Sequence, residues 1–186
     1  MEFYLRLGAE RGGIYGSPAE WAGLLPPGTG RPGRRTLWRR RWGVLALTPE
    51  GCADLLTVRR RFPPSARELQ CDLLLLPGEC PAGRLPLPPT LRAVSYGLSP
   101  RDSLTFSSLE QPALCVQRAL PRPDGTVIEP QEIPLPGLPA PVERFLPLLG
   151  LWLLTCADAS AWQARLMSAF AAGDTPRRRF PRWKRG

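Results

Sequence analysis

The sequence contains no histidine, and its single lysine is Lys184. Without imidazole, the chain cannot use Ser-His-Asp or Cys-His catalysis, and it has no histidine ligand for a metal and no histidine pH switch. Cysteine is sparse, since five residues are scattered with no pair at two-residue spacing, so a zinc site of the usual Cys/His form is not expected. We predict no metal, no cofactor and no assigned catalytic residue.

The sequence also lacks targeting and spanning segments. Residues 1–6 show no basic stretch followed by an apolar run, which argues against a signal peptide. The longest apolar run, Phe145 to Ala157, is interrupted by Pro147 and Gly150 and is shorter than the roughly 20 residues of a spanning helix. We therefore expect no transmembrane segment, a cytoplasmic location and cysteines that act as small buried hydrophobic side chains. One nucleophilic cysteine, activated by a group other than histidine, stays an alternative.

Composition favours a globular chain with a basic end. Of the 186 residues, 43% are hydrophobic and 22% are charged, values typical of a folded domain. The net charge of +9 is concentrated in the first third of the chain and in the last ten residues. We predict one globular domain at 1–175 and a disordered basic tail at 176–186. The excess of arginine fits either GC-rich coding or the recognition of phosphates and carboxylates.

The order of elements predicts an α/β or α+β domain. Helices are expected to start at Ser17 and Thr48, each followed by proline. An Asp124-Gly125 turn predicts a hairpin, and two helices are expected at 141–156 and 159–171. Residues 8–16 are interpreted as a glycine-rich flexible connection and 29–35 as a loop. Strands are predicted at 3–7, 37–47, 71–76, 92–96, 103–108, 114–120 and 126–133. The resulting mixed sheet of five to seven strands would be covered by the C-terminal helices.

A candidate ligand site follows the predicted strand at 92–96. Tyr96 and Gly97 end this strand, and Asp102 and Ser103 stand just before the next one. Because α/β folds often bind ligands at the ends of their strands, we predict that these four residues bind a ligand. The alternative is that Asp102 and Ser99 only stabilise the turn between the strands.

A second candidate surface combines cations with aromatic side chains. The basic tail at 177–185 interleaves its cations with Phe180 and Trp183. It could bind nucleic-acid phosphates and stack on bases, or could lie on an anionic membrane surface. A merely solubilising tail is the third possibility. The basic strand between Trp38 and Trp42 could join the same surface. The predicted nucleic-acid contacts are Arg39, Arg40, Arg41, Arg177, Arg178, Arg179, Arg182, Trp183, Lys184 and Arg185.

The middle of the chain resembles a known family. The order Val-Ser-Tyr-Gly-Leu at 94–98, Asp102, a strand, Asp124-Gly125, Leu-Pro-Gly at 135–137 and a hydrophobic helix is similar to the later part of the central ATPase domain of Mur ligases. The resemblance covers about residues 92–156. The family's Gly-Lys-Thr/Ser loop and magnesium-binding segments are missing, and residues 138–141 differ from its Asn-containing motif. The resemblance implies a degenerate nucleotide-binding domain without ligase activity, and it assigns no catalytic residue.

Three functional hypotheses follow from the sequence. The first is a non-enzymatic cytoplasmic protein that binds a protein partner or a small anionic ligand. The second is a nucleic-acid-binding protein that uses the tail and the Trp38–Trp42 basic strand. The third is an enzyme that uses Asp102 and neighbouring serines. Retention on DNA or RNA that is lost without the tail would distinguish the second hypothesis from the others.

Overall fold

The computed structural model describes residues 3–7, 12–17, 20, 31–33, 41–61, 70–85, 87 and 90–155. Several sequence predictions lie outside these residues. They include the helix at 159–171, the basic tail at 176–186, and the side chains of Arg39 and Arg40. Most of the helix predicted to begin at Ser17 also lies outside.

The described residues form an α/β domain built on a mixed sheet. Two α-helices are described, α1 at Pro49–Arg61 and α2 at Leu146–Thr155, and a 3-10 turn at Val142–Phe145 precedes α2. Another 3-10 turn covers Ala82–Arg84. The strands are β1 Phe3–Leu7, β2 Gly12–Gly16, β3 Arg31–Gly33, β4 Trp42–Leu47, β5 Cys71–Pro77, β6 Arg92–Tyr96, β7 Leu104–Ser108, β8 Ala113–Val116, β9 Leu120–Pro121, β10 Val127–Ile128 and β11 Gln131–Pro134.

Nine of these strands belong to one sheet, in the order β11-β8-β7-β6-β5-β4-β2-β1-β3. Strands β2, β4, β5, β6 and β7 run parallel to one another, whereas β1 and β3 on one side and β8 and β11 on the other are joined by antiparallel pairing. Strands β9 and β10 form a separate two-stranded hairpin. The carboxyl ends of β4, β5 and β6 therefore lie side by side at one edge of the sheet, which is where parallel sheets commonly bind ligands.

The connection between β6 and β7 is unusually short for parallel strands. Only residues 97–103 separate them, whereas a parallel crossover normally needs a dozen or more residues. The register explains the difference, because Tyr96 at the end of β6 pairs with Leu104 at the start of β7. The chain does not travel back along the sheet, so β7 continues beyond the end of β6. The antiparallel strands β7, β8 and β11 thus extend past the carboxyl ends of the parallel strands.

Two hydrophobic clusters cover the two faces of the sheet. Alternation along the strands sends Val44, Leu73 and Leu75 towards α2, while Leu45 and Leu74 face α1. All five are almost fully buried. Because the parallel strands are covered on both faces, they read as continuous apolar runs in the sequence, as the stretch 71–76 does.

The interpretation of residues 8–16 as a flexible connection was wrong for its second half. Gly12–Gly16 forms β2, a buried strand between β1 and β4. Its glycines allow close packing, since a Cβ on Gly13 would lie 2.5 Å from the Trp42 ring. Residues Arg31–Gly33, placed in a loop, also pair as an edge strand. Within the described ranges the sheet consequently has nine strands, more than the five to seven expected.

Several local predictions are confirmed. Ser17 and Glu20 form a capping box, in which each backbone N–H is hydrogen-bonded to the side chain of the other residue. Thr48 caps α1, which continues to Arg61. The hairpin around Gly125 forms, although its strands are interrupted, so that β9–β10 and β8–β11 are separate ladders. The helix predicted at 141–156 corresponds to a 3-10 turn followed by α2.

Candidate ligand-binding cleft

A cleft of about 920 Å³ lies at the carboxyl ends of β5 and β6. Its floor contains Gly78 and Gly97, the residues that directly follow these strands. One wall is the first half of α1, a second is the turn Glu79 to Pro81 after β5, and a third includes Glu143 and Leu146, around the start of α2. Since α1 and α2 cover opposite faces of the sheet, the cleft passes over the sheet edge from one face to the other. Its volume is within the range of ordinary ligand sites.

Asp102 lies between the two glycines of the cleft floor. Its side chain is buried, and its Oδ2 atom accepts a 3.1 Å hydrogen bond from the backbone N–H of Ser99. The Asp102 N–H donates in turn to the Ser99 carbonyl oxygen, at 2.9 Å. A Cβ on Gly78 would be 1.9 Å from Oδ1, and one on Gly97 would be 2.4 Å from Oδ2. The absence of side chains at these positions is therefore what admits the carboxylate.

The Tyr96 hydroxyl makes a hydrogen bond within the protein. It donates a 2.7 Å hydrogen bond to the carbonyl oxygen of Leu47, at the end of β4. The ring thereby reaches past the end of β5, which separates β4 from β6. Burial raises the pKa of the phenol far above its usual value, and the negative charge of Glu20 adds to the shift. A neutral, hydrogen-bonded tyrosine of this kind holds the cleft floor in place and is a poor acid or base near neutral pH.

The lining of the cleft is apolar with an excess of acidic groups. Ala53, Leu56 and Leu146 contribute apolar surface, and Leu98 stands at the rim with 54% of its surface exposed. Among the described residues, the charged side chains in the lining are three carboxylates and one guanidinium, namely Glu79, Asp102, Glu143 and Arg101. Glu79 and Glu143 are exposed, so both can meet a ligand from solvent.

Near the cleft, a carboxylate of the protein occupies the start of α1. Glu20 accepts hydrogen bonds from the backbone N–H of Ser17 at 3.0 Å and from that of Glu50 at 2.9 Å. It also accepts from the hydroxyl of Thr48, the residue that caps α1. Free N–H groups at a helix start are the usual binding site for phosphate in α/β folds. Here Glu20 already supplies the negative charge at that position.

A disulfide connects two walls of the cleft. Cys52 lies in the first turn of α1 and Cys80 lies in the turn after β5, and both residues line the cleft. Their Cα atoms are 6.4 Å apart, inside the range that a disulfide spans. The prediction that the cysteines are simply buried thiols is therefore wrong for this pair, because the strand order brings together positions that are 28 residues apart. Cys71 and Cys115 are free thiols.

The structure brings three of the four predicted ligand-binding residues into one place. Tyr96, Gly97 and Asp102 all line the cleft. Ser103 does not line it, since this residue is buried and its N–H donates to the carbonyl oxygen of Ser95 at 3.0 Å. The contacts between Asp102 and Ser99 are those of the alternative hypothesis, in which both residues stabilise the turn.

Of the predicted nucleic-acid contacts, Arg41 alone lies in the described part of the chain. Its Nε and Nη2 atoms donate to Oδ1 of Asp72 at 3.1 and 2.7 Å, in an exposed ion pair. The other predicted contacts lie outside the described residues. Within the described residues, no helix is long and apolar enough to cross a membrane. The same residues contain no group of three or more Cys, Asp or Glu side chains placed to hold a metal ion.

No family model, no curated protein and no solved structure matches the chain.

Sequence reasoning missed several residues of the cleft. Glu79 and Cys80 follow the clearest predicted strand, and their position after β5 was the available signal. Glu143 lies at the start of the predicted C-terminal helix, but its approach to the cleft depends on how α2 crosses the sheet. The bonds of Glu20 to Thr48 and Glu50 depend on the parallel pairing of β2 with β4, which no local pattern specifies.

Proposed function

We propose that this chain is a non-enzymatic binding domain whose cleft receives a segment of a protein partner that carries apolar and basic side chains. The observation that supports this most directly is the cleft lining, in which apolar side chains are combined with Glu79 and Glu143. Apolar contacts supply affinity, and exposed carboxylates on two walls select for cations. The lining of the cleft reaches residues on both faces of the sheet, and this extent suits an extended segment.

The charges favour such a partner over a small anionic ligand. Arg101 is outnumbered by carboxylates in the lining, so an anion in the cleft would meet net repulsion. At the start of α1, an anionic ligand would have to displace Glu20 from its three donors. Descent from a nucleotide-binding domain, as the similarity to Mur ligases implies, is compatible with loss of the phosphate site. A cytoplasmic location is also part of this proposal.

Fluorescence anisotropy with a labelled peptide tests the proposed function. The probe is an acetylated, amidated peptide of alternating leucine and arginine, compared with its leucine–glutamate counterpart and with unlabelled ADP as a competitor. We expect the arginine peptide to bind at least tenfold more tightly than the glutamate peptide, and ADP to compete poorly. Equal affinity for both peptides, or displacement by ADP at micromolar concentration, would contradict the proposal.

Two variants and a matched control connect binding to the cleft. Glu143→Gln and Glu79→Gln each remove one negative charge from an exposed side chain, and such surface changes usually alter stability little. Each substitution is expected to lower the affinity for the arginine peptide about threefold to tenfold and to reduce the salt dependence of binding. Glu110→Gln removes an exposed acid outside the lining and should leave affinity unchanged. Equal effects from all three variants would indicate non-specific attraction.

Nucleic-acid binding stays a separate prediction that rests on the sequence of the basic tail. Labelled RNA and DNA oligonucleotides, titrated into the full chain and a 1–175 truncation over a salt series, test it. Binding with a steep salt dependence that is lost in the truncation would support this function. No binding at moderate salt would exclude it and leave the cleft as the site to study.

A further inference from the structure

We propose that the Cys52–Cys80 bond is a thiol–disulfide exchange site that reacts with a dithiol while the domain stays folded. Both cysteines line the cleft, and Cys80 is only partly buried at the margin of the core cluster that contains Cys52, which gives a reagent in the cleft a route to the bond. A disulfide that only stabilised the fold could equally be enclosed. This proposal does not depend on what the cleft binds, and nothing in the proposed function requires it.

The two sulphur atoms differ in their surroundings. Cys52 is buried, with 4% of its surface exposed, whereas Cys80 is only partly buried in a turn. An attacking thiolate needs access to one of the two sulphur atoms, and the other sulphur leaves as a thiolate. Cys80 is the more exposed residue of the pair and is therefore the expected point of attack. Cys52, in the first turn of α1, is then the residue whose sulphur leaves.

The exchange proceeds in two steps through a mixed disulfide. A thiolate of the dithiol attacks Sγ of Cys80, the Cys52–Cys80 bond breaks, and Cys52 leaves as a thiolate. The second thiol of the reagent then loses its proton. The resulting thiolate attacks the reagent's other sulphur, which is bonded to Cys80 in the mixed disulfide, and Cys80 is released as a thiolate. Two electrons pass from the dithiol to the protein, and its two protons end on Cys52 and Cys80. The dithiol leaves as a cyclic disulfide.

Reduction has a structural consequence for the cleft. The turn Glu79 to Pro81 forms one of its walls, and the disulfide ties this wall to α1. Reduction removes this covalent link between the turn and α1. The 3-10 turn at Ala82–Arg84 belongs to the same segment, so cleavage by trypsin after Arg84 reports its release.

The first test follows the native full chain by alkylation and mass spectrometry. Protein purified without reductant is treated with N-ethylmaleimide and digested, and we expect Cys52 and Cys80 in one cross-linked peptide. Dithiothreitol is then added without denaturant, and labelling is followed in time. We expect Cys80 to be labelled at least tenfold faster than Cys52, and both before Cys71. Recovery of both cysteines as alkylated thiols before reduction would overturn the proposal. Labelling of Cys52 and Cys80 at the same rate as Cys71 would overturn it as well.

Cys71 is a suitable internal reference because burial raises its pKa to about 12, with the charge of Asp72 adding to the shift. Because its pKa is raised in the folded domain, the partly buried Cys71 thiol should react more slowly there than after unfolding. Labelling of Cys71 therefore distinguishes exchange in the folded state from reduction that follows global unfolding.

Single variants give a second test that does not require reduction. In Cys52→Ser, glutathione disulfide should modify Cys80, and in Cys80→Ser it should modify Cys52 at least tenfold more slowly.

A third test compares the reduced and oxidised wild-type protein. Trypsin should cleave after Arg84 at least fivefold faster in the reduced than in the oxidised protein, whereas cleavage after the exposed Arg118 should not change. Equal modification of the two cysteines, or cleavage after Arg84 that is insensitive to reduction, would contradict the proposal.

Discussion

The hydroxyl group of Tyr96 donates a 2.7 Å hydrogen bond to the carbonyl oxygen of Leu47. Tyr96 ends β6 and Leu47 ends β4, with β5 between them. The bond therefore connects the carboxyl ends of β4 and β6 across the end of β5, beside the cleft at the ends of β5 and β6. A rigid floor of this kind reduces the ordering cost of binding.

Replacing Tyr96 with phenylalanine removes this bond and keeps the ring. Because the carbonyl group of Leu47 lies in a buried region, we expect the free energy of unfolding to fall by about 1–2 kcal/mol. Equilibrium unfolding in urea measures the change. A Tyr96→Phe variant as stable as the wild type within about 0.3 kcal/mol would show that the bond contributes nothing net.

Gly78→Ala tests the close approach of Asp102 to the cleft floor. The added methyl group would lie 1.9 Å from Oδ1 of Asp102, so the carboxylate or the turn must move. We expect a loss of about 1–3 kcal/mol in unfolding free energy, as for other overpacked sites. Thermal and urea unfolding measure it.

Gly83→Ala is the matched control for this substitution, since a Cβ on Gly83 meets no atom within 4 Å. Its stability should stay within about 0.5 kcal/mol of wild type. Combining Gly78→Ala with Asp102→Ala should recover part of the loss, because the two groups then no longer compete for space. Strict additivity of the two substitutions would argue against the contact.

Alkaline pH should destabilise the domain through Cys71. Its pKa is raised to about 12 in the folded state, mainly by burial, whereas an unfolded cysteine ionises near 8.5. The folded state holds this proton more tightly, so the stabilisation is complete below about pH 8.5 and is lost as the pH rises towards 12. The loss is at most about 1.4 kcal/mol per pH unit.

Urea unfolding at a series of pH values between about 8 and 10 measures this slope. The Cys71→Ala variant should show a shallower dependence, because it lacks the group that releases the proton. The same slope in both proteins would mean that Cys71 titrates normally in the folded state.

The disulfide should contribute substantially to stability as well as to redox behaviour. It closes a loop of 28 residues, for which the chain-entropy model gives about 3–4 kcal/mol. The oxidised protein should accordingly unfold at a higher urea concentration than the Cys52→Ala/Cys80→Ala double variant. Adding dithiothreitol should lower the midpoint of the wild type and leave the double variant unchanged. A wild-type midpoint that does not respond to the reductant would contradict the predicted contribution of the disulfide to stability.

Local signals in the sequence predicted much of the fold. Ser17 with Glu20, and Thr48 before Pro49, define helix starts through chemistry that operates within four residues. The run at 71–76 shows a strand buried on both faces, and Asp124-Gly125 marks a turn that needs a positive φ, observed as 87° at Gly125. Such features depend on neighbours along the chain, so one sequence suffices to find them.

What could not be predicted depends on contacts between distant segments. Gly12–Gly16 has the composition of a loop, and its role as a buried strand comes from packing against Trp42 and α2. The pairing of Cys52 with Cys80 requires the parallel order of β4 and β5 and the course of α1 between them. Tyr96, Gly97 and Asp102 were singled out because strand ends meet at one edge. The acidic walls formed by Glu79 and Glu143 were not predictable, since they belong to segments that only the tertiary fold brings together.

The measurement that tests the proposed cleft most directly is a titration of isotope-labelled full-length protein with the leucine–arginine peptide, followed by amide chemical shifts. Binding in the cleft predicts the largest shifts at Gly78, Glu79, Gly97, Leu98 and Ser99, with much smaller shifts for Glu143→Gln protein at the same peptide concentration. Shifts confined to amides outside the cleft, or no saturable shifts up to millimolar peptide, would contradict the proposed function.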